Sequence, residues 1–172
     1  MVRRAIFCGL AVLQAATAVL VPSGLSDGLY SIPFDANGTA LGEPVPLASA
    51  LSRFSRVRRQ NAPAFPSNAP TKCGNGGRIN INDFSTAKAN LETECDAGVT
   101  YPQRTAVVFI TGGAVAYFCN YDASGRCWRQ EVEDAMNRVV QSCGSGNGGE
   151  VYLQSYQRSY GGDNLGQQIC RF

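Results

Sequence analysis

The chain has 172 residues, with 15 Lys and Arg against 13 Asp and Glu, no histidine, and a formal net charge of +2. Without histidine, Ser-His and Cys-His nucleophiles, imidazole acid–base catalysis and the usual zinc and facial-triad sites are excluded. The charge is unevenly placed: residues 1–59 hold six Arg and three acids, net +3, and residues 60–172 hold two Lys and seven Arg against ten acids, net −1. The second part thus lacks the basic field that nucleic acid or anionic lipid requires.

Arg3 and Arg4 precede an apolar run from Ala5 to Val21, and Ala16-Thr17-Ala18 has the small-x-small form of a signal-peptidase site. The run is shorter than the roughly 20 residues of a membrane span, so residues 1–18 read as a signal peptide and no stable membrane insertion is expected. Residues 19–59 read as a pro-segment that is removed at a dibasic site, any glycan on it leaving with it. Asp-Gly, Asn-Gly and Gly-Glu-Pro punctuate them, a pattern that disfavours packed elements. Asn37-Gly38-Thr39 is an N-glycosylation sequon. Arg56-Val57-Arg58-Arg59 ends the segment, and paired arginines such as Arg58 and Arg59 are where processing proteases of the secretory pathway cut. Residues 60–71, with Pro63, Pro66 and Pro70, form a flexible leader.

Residues 72–172 are the expected folded domain. Six of the seven cysteines lie here: Cys73, Cys95, Cys119, Cys127, Cys143 and Cys170; Cys8 lies in the signal. An even set in an exported chain reads as three disulfides. Arg78-Ile-Asn-Ile-Asn82 alternates as a strand. Asp83 caps a following helix whose Phe84, Ala87, Leu91 and Cys95 share a face. Thr105–Thr111 and Ala114–Tyr121, separated by Gly112-Gly113, read as a β-hairpin with a primed turn. A second helix spans about 126–142, with Trp128, Val132, Ala135, Met136 and Val139 inward and Gly144 as its stop. Glu150–Tyr156 is the last strand, and 157–172 a glycine-rich tail.

The order β-α-β-β-α-β gives the expected fold class: α+β, a four-stranded antiparallel sheet with two helices on one face, stapled by disulfides. That topology gathers Cys95, Cys119 and Cys127 at one end and leaves Cys143 to reach Cys170, one pairing among 15.

No catalytic residue, metal or cofactor site is assigned. The glycine clusters at 74–77 and 144–149 lack the strand-then-helix setting of a phosphate cradle. Glu92, Glu94, Glu131, Glu133 and Asp134 are the carboxylates from which a glycosidase-like pair would be drawn; neighbours two apart on a helix diverge. Tyr152, Tyr156 and Tyr160 form a possible binding surface, since aromatic rows stack on sugars or bases.

Signal, dibasic pro-segment and a six-cysteine α+β domain, with Ala116-Tyr117-Phe118-Cys119, Cys127-Trp128, Cys143-Gly144 and Tyr160-Gly161 before Cys170, resemble small secreted cysteine-rich effectors of filamentous fungi. The killer-toxin-like group is the nearest in layout, with the Ecp-type necrosis-inducing effectors beside it. The resemblance implies an extracellular, non-enzymatic monomer that binds a host or competing-microbe target after the processing protease has acted. Two alternatives stand beside it: a small secreted hydrolase (ribonuclease or glycosidase) using carboxylates, and a carbohydrate-binding module using the tyrosines.

Overall fold

A computed structural model of the chain describes residues 18–48 and 62–172. The signal peptide (residue 18 apart) and the Arg58-Arg59 site lie outside the described residues.

Over the described residues the protein is α+β, with two α-helices and antiparallel sheets. In chain order the strands are β1 (Val19–Leu20), β2 (Gly28–Pro33), β3 (Val45–Pro46) and β4 (Thr71–Arg78). Helix α1 (Ile81–Asp96) is followed by β5 (Thr100–Tyr101), β6 (Thr105–Thr111), β7 (Ala114–Asn120) and β8 (Gly125–Arg126). Helix α2 (Arg129–Cys143) precedes β9 (Asn147–Leu153), β10 (Arg158–Asn164) and β11 (Gln168–Ile169). The main sheet has seven strands in the order β3-β2-β6-β7-β10-β9-β4, not the four expected. The β1–β11 and β5–β8 pairs are separate two-stranded ribbons.

The β6–β7 hairpin forms as its sequence predicts. Gly112 and Gly113 both take positive φ, 54° and 94°, the backbone that lets a two-residue turn follow the twist of its strands. The first strand of the expected domain is displaced. Residues 71–78 form β4, while Ile81 and Asn82 already belong to α1. Asn80, not Asp83, caps that helix, its side chain accepting from the backbone N–H of Asn82 and Asp83. The short Ile-Asn-Ile alternation is therefore a helix entry, not a strand. The glycine-rich tail also departs from expectation, because β10 lies between β7 and β9 near the middle of the sheet. Its Gly161 and Gly162 are required by close approach: a Cβ would stand 2.3 Å from the Tyr117 Oη and 2.1 Å from the Phe84 ring, respectively.

Both helices cover one face of the sheet. There α1 (Ala87, Leu91, Cys95) and α2 (Val132, Ala135, Met136, Val139) pack on Val107, Phe109, Ala116, Phe118, Val151 and Tyr160. The opposite face holds a second core, in which Ala106, Val108, Ile110, Val115, Tyr117 and Cys119 are covered by Val19, Val21, Phe34, Ile169 and Cys170 and extended by Tyr30 and Ile32. Two segments of residues 18–34, 19–21 and 28–34, thus pack where punctuation by glycine and proline suggested no packed element. Strand β2 pairs with β6 over its whole length, from Gly28↔Ile110 to Pro33↔Thr105.

Three disulfides close the structure: Cys73–Cys143, Cys95–Cys127 and Cys119–Cys170. The first ties β4 to the end of α2, and the second ties the end of α1 to the approach to α2. The expected Cys143–Cys170 bridge does not form. Alternation along β7 puts Phe118 under the helices and Cys119 on the other face. Cys119 therefore cannot join Cys95 and Cys127, and it meets Cys170 in the second core.

Candidate functional site

The three tyrosines do not form one row. Tyr160 is fully buried beneath α2 and donates its hydroxyl to Glu131 Oε2 at 2.5 Å. Tyr156 ends a 3-10 turn (Gln154–Tyr156), which breaks the strand alternation, and packs at the edge of the helix-side core with the Arg158 guanidinium 4.8 Å from its ring centre. Tyr152 sits in β9 between Val151 and Leu153, both of which face the helices, so it points to the other face. There it stacks on Phe172, with ring centres 5.1 Å apart and planes 13° apart, and meets the edge of Tyr121 at 5.6 Å.

The carboxylates are held in separate structural pairings. Glu131 is buried and accepts from Arg158 Nη2 at 2.7 Å and from Tyr160. Burial raises its carboxyl above the ordinary range, while Arg158 and Tyr160 pull it back down. The same burial, with Glu131 beside it, keeps the Tyr160 hydroxyl protonated. Glu94 accepts from Tyr101 Oη at 2.8 Å. Glu92 pairs with Lys88 at 2.6 Å, and Glu133 with Arg129 at 3.0 Å. Asp134 accepts from Gln130 Nε2 at 3.2 Å. No two of these carboxylates share a partner that would place them across one substrate bond, apart from the distant Arg129–Glu92 contact at 3.9 Å. Among the described residues no three His, Cys, Asp or Glu side chains come together as a metal site.

A cleft of about 180 Å³ opens instead on the second face, lined by Phe34, Asp35, Gly38, Arg104, Tyr121 and Phe172. Its walls come from three loops. The first turns after β2: Asp35 Oδ1 accepts from the backbone N–H of Asn37 and Thr39, each at 2.8 Å, which folds the chain back on itself. The second is the β5–β6 connection. Buried Asn120 donates to the carbonyls of Tyr101 and Pro102 at 3.2 and 2.8 Å. Arg104 there adopts φ 53°, sparsely populated for a residue with a side chain, and its carbonyl accepts from Phe34 N–H at 2.9 Å. The third wall is the segment after Cys170.

That segment is anchored from below by Glu150, which is completely buried. Glu150 accepts from Ser159 Oγ, from Tyr121 Oη at 3.3 Å, and from Arg171 N–H and Nε at 3.0 and 3.4 Å. Arg171 donates onward to the Cys73 and Lys72 carbonyls, and Lys72 lies 4.1 Å from the Phe172 ring centre. Burial and the Glu150 charge push the Tyr121 hydroxyl well up, so it stays a donor. The cleft is therefore lined by the aromatic side chains of Phe34, Tyr121 and Phe172 beside one cation and one carboxylate. That combination suits a ring or a planar polar group.

No known protein family, curated protein or solved structure matches this chain. The cleft residues were not singled out in the sequence. A signal was present in Leu29-Tyr30-Ser31-Ile32-Pro33-Phe34, whose Tyr30, Ile32 and Phe34 alternate, followed by an Asp-x-Asn-Gly turn.

Proposed function

We propose that the protein is a secreted, disulfide-stapled binding protein, matured by cleavage after Arg59, that acts by contact with a host or microbial target, as an effector or killer-toxin-like protein would. The observation that carries this reading is the cleft, whose aromatic and charged side chains are set on a rigid base by Glu150, Asn120 and the Cys119–Cys170 bridge. Export is supported by the three disulfides. The carboxylates weigh against the hydrolase alternative, since each is spent on a structural partner. The carbohydrate-binding alternative moves from the dispersed tyrosines to Tyr121 and Phe172.

The test compares the secreted parent with Arg104→Ala and Phe172→Ala. These side chains line the cleft and are not fully buried, so both variants should melt close to the parent. Both should lose most tissue response on infiltration and most growth inhibition of competing fungi; retention on chitin or glucan would identify a sugar target. Full activity in both variants would refute the cleft as the binding site. Hydrolysis of RNA or glycan that disappears in Glu133→Gln, with the melting temperature unchanged, would support the enzyme alternative.

A further inference from the structure

We infer that cleavage after Arg59 does not discard residues 19–59 but leaves them as the short chain of a two-chain, non-covalent protein, with the cleft built at the junction of the two chains. This rests on the proposed cleavage and deepens it: the cut becomes a nick in a finished fold rather than the removal of a leader.

The observations lie on both sides of the cut. Strand β2 is hydrogen-bonded to β6 along six residues and is an inner strand of the seven-stranded sheet, with β3 outside it. Strand β1 pairs with β11, and Val21 exchanges backbone hydrogen bonds with Gln167 and Gly166 at 3.2 and 2.9 Å. The Asp27 carboxylate accepts from Gly112 N–H at 2.9 Å, across the hairpin turn. Val19, Val21, Ile32 and Phe34 are buried in the second core against Cys119, Ile169 and Cys170. This is strand addition, in which main-chain hydrogen bonds along a sheet combine with side chains in alternate pockets. Loss of the segment would strip the second face of Ala106, Val108, Ile110, Val115 and Tyr117, five residues at or near full burial.

Nothing covalent holds the short chain. Residues 19–59 contain no cysteine, and all six cysteines after the cut are paired with one another. The cleft needs both chains, since Phe34, Asp35, Ala36 and Gly38 come from one and Arg104, Tyr121, Cys170 and Phe172 from the other. Asn37 and Thr39 are exposed on the short chain at its rim, so a glycan on Asn37 stays with the mature molecule.

The experiment is mass spectrometry of the protein purified from culture fluid, without reductant, under native and then denaturing conditions. The expected native species has the summed mass of both chains in one-to-one ratio. Denaturation alone should split it into a long chain beginning at Gln60 with three intact bridges and a short chain ending near Arg59. Glycosidase treatment should shift only the short chain. A native species consisting of 60–172 alone would overturn the inference while leaving the processing reading intact. A single chain that persists under denaturing conditions would show that the cut itself does not occur, and the processing reading would fall first.

Discussion

At the scale of single residues, the buried polar groups decide stability more than the surface charges. Glu131 and Arg158 lie beneath α2, 1% and 8% exposed, with Tyr160 completing the set. A buried pair returns little over an apolar replacement, but breaking it strands a charge, at about 3–5 kcal/mol. Arg158→Leu should therefore lower the unfolding free energy by about 3 kcal/mol, and Glu131→Leu added to it should recover most of the loss; chemical denaturation of both variants measures this. Asp163 behaves differently. It is 1% exposed, Oδ1 accepts from Asn164 N–H, and among the described residues Oδ2 has no hydrogen-bond partner. Burial raises its carboxyl above the ordinary range. A group raised in the folded state binds its proton more tightly there than in the unfolded chain, so its contribution is favourable at acid pH and is lost as pH rises through the raised value. Asp163→Asn should accordingly stabilise by about 1 kcal/mol near neutrality, with the gain shrinking as the pH is lowered through the carboxyl range. A gain independent of pH would show that charge burial is not its cause. None of this was legible in the sequence: Glu131 and Glu133 look alike in a helix of alternating charge, and only Tyr160 and Arg158 arriving from β10 distinguish them.

At the scale of elements, what was legible was what is local. The Gly-Gly hairpin and both helices depend on spacings within some 15 residues, and all three form. Among the strands that were missed, β2 pairs with β6, far along the chain, and β10 pairs with distant β7 as well as with its sequence neighbour β9, its glycines giving it the look of a tail. Yet Ala106–Ile110 and Ala114–Cys119 are unbroken buried runs, and such runs mark strands covered on both faces. Two helices on one face could not satisfy them, so a second cover was implied, and residues 18–34 with the tail supply it. The disulfides follow the same division. Cys95–Cys127 lies on the helix side and Cys119–Cys170 pins the second cover. Removing either bridge by paired Cys→Ala exchange should cost about 2–4 kcal/mol, with loops of 32 and 51 residues differing little in chain entropy. Their functional effects should diverge: loss of Cys119–Cys170 frees the segment bearing Phe172 and should weaken binding at the cleft, whereas loss of Cys95–Cys127 should leave binding unchanged in the folded fraction. Equal binding losses in both variants would mean that the bridge is not what positions the cleft wall.

At the scale of the whole molecule, the sheet divides the protein into two cores, and each depends on a different part of the chain. The helix-side core is supplied almost entirely by residues after the proposed cut, with Leu29 and Leu47 as the contributions from before it; the second core borrows Val19, Val21, Tyr30, Ile32 and Phe34. Burying a side chain of that size contributes about 1.5–3 kcal/mol before the cost of ordering the short segment, and a domain's whole margin is only about 5–15 kcal/mol. A recombinant fragment of residues 62–172, oxidised to its three bridges, should therefore keep its helices by circular dichroism. It should also bind a hydrophobic dye at the bared face of β6 and β7 and melt on the order of 10 °C below the full protein. A synthetic peptide of residues 19–48, added in excess, should restore the melting temperature in a concentration-dependent way and displace the dye, because a ligand that binds only the folded state stabilises by mass action. Replacing Ile32 with Asp in the peptide should abolish the rescue, since that side chain is fully buried against β6. A fragment that melts with the full protein and binds no dye would mean that the second face closes without the segment, and that the sheet's two inner strands need only the helices above them.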